Sequence, residues 1–291
     1  MFASKDTMLR LLIADGNDRS GRASHVKATG KTSAEAYAEV VRDHVPEAAC
    51  RLVNPADADA TLPDGAELAA YDGIIVTGSA LRIGERTPEV LRQVELVRAA
   101  LDAGARVFGS CWGVQVAAVV AGGDAAANPR GPEYGFARRI VPTRDGAGHP
   151  LLAGRPTAWD APAIHLDAVV TPPPDARVLA ENGLLAVQAI EIRHGSGLFW
   201  GTQYHPELDL DELAAMLRLS ADAIVEAGLA EDAGGVEAYA GEVAALHGPV
   251  DARARRLAWR HGVGPEILDA VSRRREIGNF LDRLSARRTA P

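Results

Sequence analysis

The chain has 291 residues, 47% of them hydrophobic, and a formal net charge of −8 at pH 7. This length predicts one domain of about 200 residues plus an appendage, with enough apolar residues for a large core. No apolar stretch approaches the length that crosses a bilayer, and the two cysteines, Cys50 and Cys111, are too few for a disulfide framework. Residues 1–6 lack the charged region and apolar core of a signal peptide. We therefore expect a cytoplasmic protein with free thiols.

Apolar runs and helical patterns alternate along the first part of the chain. Such alternation predicts a mostly parallel sheet with helices on both faces, and functional sites in these sheets lie at the carboxyl ends of the strands. After Gly123 the pattern changes to shorter, partly antiparallel strands. The predicted strands are Leu9–Ala14, Cys50–Asn54, Gly73–Thr77, Arg106–Gly109, Ala137–Pro142, Ala186–Arg193 and Leu198–Thr202, and the predicted helices are Ser33–His44 and Pro88–Ala103.

The segment Asp15–Lys31 is long, polar and contains glycine, which predicts a loop. It fits a substrate-facing lid and a surface insertion equally well. Its end, Gly30-Lys31-Thr32, resembles the end of a phosphate-binding loop, but His25 stands where that motif requires a glycine. Thr32 and Glu35 instead predict a capping box at the start of the following helix.

The segment Val107–Gln115 joins an apolar strand to a small apolar helix through a Gly-x-Cys-x-Gly turn. This is the nucleophile-elbow pattern with sulfur in place of oxygen. Gly109 and Gly113 lack a Cβ atom, so the helix can pack close to its strand. Unpaired N–H groups at the start of the helix favour the thiolate of Cys111, and the backbone N–H of Trp112 is placed to donate to an oxyanion.

A thiolate nucleophile requires a partner that moves protons, and His205 is the best candidate among eight histidines. His205 follows the predicted strand Leu198–Thr202, and Pro206 favours an extended backbone at His205. Extended geometry brings Glu207 to the same side, where its carboxylate can orient the imidazole as the third member of a triad. A surface His-Pro-Glu turn beside an unrelated core cysteine is the alternative.

These segments resemble the two signatures of class I glutamine amidotransferases, most closely the glutaminase domain of GMP synthase and its stand-alone relatives. The resemblance rests on 109–115 and 204–207, on Gly131-Pro-Glu-Tyr-Gly135, and on Ile164-His-Leu-Asp-Ala-Val169 between them. It covers residues 8–218, and it implies a flavodoxin-like α/β fold with a C-terminal helical extension. We expect no cofactor.

The resemblance also implies roles for individual residues. Cys111 would form a γ-glutamyl thioester, with His205 as the base and Glu207 as its partner. The glycine loop after Gly73–Val76 would supply a second oxyanion donor near Gly78 or Ser79, although the family usually has two glycines and a proline there. The residues expected beside the substrate are Gln115, Glu133 and His165. His165 and Asp167 alone do not predict a metal site, because no third ligand is near in sequence.

Residues 1–227 are predicted to form the amidotransferase domain and residues 228–291 a helical extension. The predicted helices are Asp209–Ala227, Val236–Leu246, Asp251–His261 and Pro265–Leu284, with a linker at Gly228–Gly235. Residues 251–291 contain ten arginines and five acidic residues. They lack the aromatic and glycine features of a nucleic-acid reading module, so we expect them to dock on the acidic body or on another copy in a homo-oligomer.

Three functions are compatible with these patterns. The leading hypothesis is a glutaminase that releases ammonia for an acceptor enzyme on another chain, since nothing here resembles a synthetase domain. The second is a γ-glutamyl hydrolase acting on a γ-glutamyl amine or peptide with the same triad. The third is a non-enzymatic protein that retains the fold, which the intact cysteine, histidine and glutamate disfavour.

Overall fold

The computed structural model describes residues 8–289. The strands are β1 (Arg10–Ala14), β2 (Ala49–Val53), β3 (Gly73–Val76), β4 (Arg106–Ser110), β5 (Asp124–Ala127), β6 (Glu133–Pro142), β7 (Trp159–His165), β8 (Asp167–Thr171), β9 (Arg177–Glu181), β10 (Ala189–His194) and β11 (Gly197–Thr202). The helices are α1 (Arg19–Thr29), α2 (Ser33–His44), α3 (Gly65–Ala69), α4 (Pro88–Asp102), α5 (Trp112–Val120), α6 (Leu210–Leu219), α7 (Ala221–Glu226), α8 (Ala233–Ala244), α9 (Ala252–His261), α10 (Pro265–Leu268), α11 (Ala270–Arg273) and α12 (Arg275–Thr289).

A nine-stranded sheet in the order β2-β1-β3-β4-β11-β10-β9-β6-β7 forms the centre of the protein. The five strands from β2 to β11 are parallel, and the remaining strands pair antiparallel. A separate two-stranded sheet pairs β5 with β8. The expected α/β fold is confirmed. The parallel half of the sheet contains β4, which leads into the elbow, and β11, which leads into the turn with His205.

Both faces of the sheet are buried, which explains why its central strands are apolar throughout. Alternate residues of each strand enter different cores: Leu11 and Phe108 pack with α2 and α12, whereas Leu12 and Val107 pack with α4 and α5. The C-terminal helix α12 therefore covers the same face of the sheet as α2. A third core joins α6 and α7 to the helices that follow them.

The helix predicted at Ser33–His44 coincides with α2, and the capping box of Thr32 and Glu35 is present. The loop predicted at Asp15–Lys31 is wrong, because residues Arg19–Thr29 form α1. This helix lacks an apolar stripe, and its buried side chains are the polar Arg22 and His25. Arg22 is held by Asp57 at 2.6 Å, a contact that hydrophobic periodicity does not predict.

The predicted C-terminal helices are present but are divided more finely than expected. The predicted helix Asp209–Ala227 breaks at Ser220 into α6 and α7, and Pro265–Leu284 is divided among α10, α11 and α12. Asp269 causes one of these breaks, since its side chain caps α11 by accepting from Ser272 N. The proposed domain boundary at residue 227 remains a prediction. A homo-oligomer formed through the C-terminal helices also remains a prediction. Helix α12 packs against the sheet of its own chain.

No helix within residues 8–289 is long and apolar enough to cross a bilayer. Residues 1–6, on which the signal-peptide expectation rests, lie outside the described part of the chain.

Candidate active site

The elbow lies where β4 turns into α5. Cys111 occupies the turn with φ 48° and ψ −99°, a strained backbone for a residue with a side chain. The two glycines have the expected steric role: a Cβ on Gly113 would lie 2.7 Å from Val76 O, and one on Gly109 would lie 2.9 Å from the Gly113 Cα. Cys111 is 5% exposed, and its thiol is placed at the start of the apolar helix α5.

His205 and Glu207 lie in the turn that joins β11 to α6. His205 Nδ1 is 2.6 Å from Glu207 Oε1, and both side chains are buried. Burial alone would lower the pKa of His205, but the charges of Glu207 and of a Cys111 thiolate outweigh it and raise the pKa to about 10. With Nδ1 committed to the carboxylate, Nε2 is the nitrogen left to interact with Cys111. The raised pKa favours the imidazolium form, and Nε2 is the nitrogen available for proton transfer.

Two further side chains hold Glu207. The Tyr37 hydroxyl lies 3.0 Å from Glu207 Oε2 and 2.7 Å from Ser110 Oγ, and Ser110 donates to Glu207 Oε1 at 3.0 Å. Burial first, and then the charge of Glu207, raise the pKa of Tyr37 well above its ordinary value, so this hydroxyl remains a neutral donor. Neither residue was predicted from the sequence. Ser110 could have been found from its position next to Cys111, whereas Tyr37 has no local signal.

The three residues expected at the oxyanion hole surround the elbow. Gly78 and Ser79 line the same cavity as Cys111, and a Cβ on Gly78 would lie 2.7 Å from His205 Cε1. Trp112 is the first residue of α5, and its fully buried indole donates to Gln93 Oε1 at 2.8 Å. Gln93 in turn donates to Gly16 O at 2.9 Å. This polar residue on the buried side of α4 thus connects the elbow to the loop after β1.

Gln115 and Asp167 form one wall of the cavity. Gln115 Nε2 donates to the backbone oxygen of Asp167 at 2.9 Å. The Asp167 carboxylate accepts from Arg82, with Arg82 Nη2 3.0 Å from Oδ1. Arg82 is half-exposed while Asp167 is nearly buried. This pair places a guanidinium and a carboxylate at the edge of the cavity, where both can contact a charged substrate.

His165 also lines the cavity, but Glu133 lies behind it. Glu133 Oε2 is 3.0 Å from His165 Nε2, and Asn182 and Gln188 donate to the same carboxylate. Burial opposes ionisation of Glu133, yet these hydrogen bonds outweigh it and lower its pKa. The carboxylate fixes His165 Nε2 as a donor and leaves the buried Nδ1 without a partner among the described residues.

A cavity of about 660 Å³ contains the side chains of Cys111, His205 and Glu207. Its volume lies within the range of about 300–1,000 Å³ that is usual for small-molecule sites. The wall includes backbone and side chains from α1 and α6, which are not part of the elbow or of the His-Pro-Glu turn. Those residues are Ser20, Gly21, Ser24, His25, Met216 and Leu219. Within residues 8–289, no group of three or more histidine, cysteine or acidic side chains is arranged to hold a metal ion.

A family model described as glutamine amidotransferase class-I matches residues 36–222, which is more than half of the chain. The chain belongs to this family. The resemblance expected from the motifs is thereby confirmed. The matched range contains most of α2, the elbow and the His-Pro-Glu turn, whereas the part of the cavity wall that α1 supplies lies before it.

Individual relatives extend this finding beyond the matched range. The chain is 36% identical to a γ-glutamyl-L-1-hydroxyisopropylamide hydrolase of a Pseudomonas species, over 95% of this chain and 93% of that protein. It is 28% identical to a glutamine-hydrolysing GMP synthase subunit of Ignicoccus hospitalis, over 53% of this chain and 75% of that one. A glutamine amidotransferase structure from Thermotoga maritima has the same fold, with a TM-score of 0.61, 15% identity, and coverage of 95% of this chain and 98% of that one. The family and these hydrolase names identify the chain as an amidase-type enzyme.

Proposed function

We propose that this enzyme hydrolyses the γ-amide bond of a γ-glutamyl compound through a thioester on Cys111, releasing glutamate and an amine. The arrangement that supports the proposal is the cavity in which a strained cysteine lies with a histidine hydrogen-bonded to a buried glutamate. A carboxylate-oriented imidazole next to a thiol at a helix N-terminus is suited to acyl transfer. A non-enzymatic binding protein would have no evident use for this arrangement of cysteine, histidine and glutamate.

In the first step, the Cys111 thiolate attacks the γ-carbonyl carbon and a C–S bond forms. The carbonyl oxygen becomes an oxyanion, which the backbone N–H of Trp112 and an N–H of the Gly78–Ser79 loop stabilise. His205 then gives its proton to the amine nitrogen as the C–N bond breaks. The amine leaves, and the glutamyl group remains on sulfur as a thioester.

In the second step, His205 takes a proton from water, and the hydroxide attacks the thioester carbon. The C–S bond breaks, glutamate leaves, and the sulfur returns to the thiolate with His205 protonated. Glu207 stabilises the imidazolium and keeps Nδ1 protonated throughout, so that Nε2 carries every proton transfer.

The α-amino and α-carboxylate groups of the glutamyl moiety require charged and polar partners. We assign this recognition to the wall formed by Gln115 and His165, with Asp167 and Arg82 at its edge. Glu133 acts through His165, since its carboxylate fixes the imidazole and does not line the cavity. Buried groups held in this way discriminate strongly against ligands that leave them unpaired.

For the amine, we propose a small alkyl or hydroxyalkyl group in preference to ammonia. The Pseudomonas relative, which acts on a γ-glutamyl hydroxyisopropylamide according to its name, aligns over 95% of this chain. The cavity wall from α1 and α6 combines serine hydroxyls with the apolar Met216 and Leu219. Such a surface suits a short amine that carries both a hydroxyl and methyl groups.

Glutamine itself is the second candidate, with the ammonia passing to an acceptor enzyme on another chain. The match to the GMP synthase subunit of Ignicoccus hospitalis supports this alternative, since a protein named as a subunit works with a partner. In both cases we propose a cytoplasmic location, where a thiolate remains reduced.

The test is to incubate the purified chain with glutamine and with a series of γ-glutamyl alkylamides, and to measure glutamate, ammonia and amine. We expect kcat/KM for a hydroxyalkylamide to exceed that for glutamine by about tenfold or more. A ratio of this size corresponds to the free energy that one well-placed polar contact contributes. Higher activity on glutamine would favour the second candidate. No release from any compound by wild-type protein would contradict the proposal.

A further inference from the structure

The turn that carries His205 and Glu207 belongs to no helix or strand. Residues Tyr204–Leu208 follow β11 and precede α6, so their backbone groups need partners outside regular secondary structure. His205 N donates to Pro162 O at 2.8 Å, and Thr202 Oγ1 donates to Tyr204 O at 2.9 Å. Besides Tyr37 and Ser110, which hold Glu207, side chains of the last two helices described also bind this turn.

On one side of the turn, Tyr204 OH donates to Glu276 Oε1 on α12 at 2.9 Å. Arg155 binds both oxygens of Glu276, with Nε and Nη2 each at 2.6 Å, and the side chains of this ion pair are 3% and 0% exposed. Burial first, and then the charge of Glu276, raise the pKa of Tyr204 well above its ordinary value. Tyr204 is therefore a permanent donor to a carboxylate that α12 brings into the core.

On the other side, Arg273 at the end of α11 donates through Nε to Leu208 O at 3.0 Å. Its Nη1 donates to Ile267 O at 2.5 Å. Arg273 is 4% exposed, and burial lowers the pKa of its guanidinium. Burying a cation carries a desolvation cost, which the carbonyl hydrogen bonds and the charges of nearby Asp209 and Asp269 offset only in part. Arg273 thus brings a buried charge to Leu208, the residue that follows Glu207.

Ionic groups of the C-terminal helices thus hold the residues just before and just after His205-Pro206-Glu207. We propose that Arg273 and Glu276, together the C-terminal clamp, are positioning residues that set the geometry of His205 relative to Cys111. Buried ion pairs contribute little net stability compared with apolar replacements, whereas they fix the arrangement of their partners. The clamp gives the C-terminal helices a role in catalysis without any contact to the substrate.

The proposal rests on the proposed function for its kinetic readout, and it also has a readout that needs no substrate. Tyr204→Phe is the main variant, because it removes one hydroxyl and leaves Glu276 paired with Arg155. Arg273→Lys is the second, since it keeps the positive charge but loses the planar pair of donors. Asp43→Asn is the matched control: Asp43 on α2 accepts from Arg274, the residue between α11 and α12, at 2.8 Å and away from the turn.

We expect Tyr204→Phe and Arg273→Lys to lower kcat for the best γ-glutamyl amide about tenfold while KM changes less than twofold, because a misplaced base slows the chemical step more than binding. In the same variants, alkylation of Cys111 by iodoacetamide should acquire a steeper dependence on pH between neutral and alkaline conditions. Asp43→Asn should match wild type in both measurements.

A fall in melting temperature of Tyr204→Phe and Arg273→Lys, with wild-type kcat and a wild-type alkylation profile, would overturn the proposal and leave the C-terminal clamp a purely structural feature. If wild-type protein hydrolyses no γ-glutamyl compound, the proposed function fails. The alkylation profiles then still decide the clamp: a changed profile supports it and an unchanged one refutes it.

Discussion

The elbow and the His-Pro-Glu turn supply the two halves of the candidate site in different ways. The elbow is formed by residues close together in sequence. Gly109, Cys111 and Gly113 pack against each other and against the neighbouring strand β3. The turn at His205 and Glu207 is irregular and is held by α2, β7, α11 and α12.

This difference has a physical origin. A sharp turn between a strand and a helix needs only small residues and a backbone that tolerates strain. A histidine and a glutamate buried side by side need their charges matched and their other atoms satisfied. The elbow is therefore specified locally, and the turn depends on distant parts of the chain.

The largest effect should come from the centre of the elbow. Cys111→Ala removes the nucleophile, and we expect hydrolysis to fall by about 10⁴-fold or more. Release of glutamate from the best substrate measures this loss. Cys50→Ala is the matched control, since Cys50 lies in the edge strand β2 and should leave the rate unchanged. Equal residual rates in wild type and Cys111→Ala would refute the catalytic assignment.

Gly113→Ala tests how closely the elbow must pack. The new methyl would lie 2.7 Å from Val76 O, so either α5 or β3 must move. We expect unfolding free energy to fall by about 1–3 kcal/mol and kcat by about tenfold or more, because the N–H of Trp112 shifts. Urea unfolding and steady-state kinetics measure the two effects. Gly241→Ala in α8, where a methyl meets no atom within 4 Å, should be as stable as wild type or more so. Equal behaviour of both variants would mean that the close approach has no role.

Tyr37→Phe tests the distant support of the turn. Glu207 keeps His205 and Ser110 as partners, so we expect a loss of about three- to tenfold in kcat with little change in KM, equivalent to about 1 kcal/mol for one hydrogen bond. Tyr71→Phe serves as the control, since its hydroxyl contacts only the exposed side chain of Arg51 in the described structure. A Tyr37→Phe effect confined to KM would place this residue in substrate binding instead.

The smallest effect concerns pH. With a pKa of about 10, His205 keeps its positive charge through the neutral range and loses it as pH rises through that value. A cationic His205 stabilises negative charge beside it, so alkylation of Cys111 should depend less steeply on pH between about pH 6 and pH 9 than alkylation of Cys50. Burial raises the pKa of Cys50, so its alkylation should increase steadily with pH. Mass spectrometry of labelled peptides follows both sites, and the ratio of Cys111 to Cys50 labelling should decrease as pH rises. A Cys111 rate that climbs in parallel with Cys50 would show that His205 is not protonated.

Elements specified by local sequence were predicted correctly, whereas elements held by distant side chains were not. Helix α2 matched its prediction because its cap, capping box and apolar stripe are all local. Helix α1 was missed since its buried residues are polar and are held by side chains far along the chain. The break at Asp269 was missed for a related reason: a single side-chain cap interrupts an otherwise helical pattern.

The sequence by itself predicted the place of the proposed nucleophile, its histidine and its glutamate, because each lies in a short segment whose residue types and spacing suit the chemistry. Only the tertiary structure decided what holds them. Tyr37 reaches Glu207 across 170 positions and Glu276 reaches Tyr204 across 72, and no local pattern encodes such pairs. Buried charges must be satisfied wherever the fold brings a partner, so the surroundings of the site emerge only when the chain is folded.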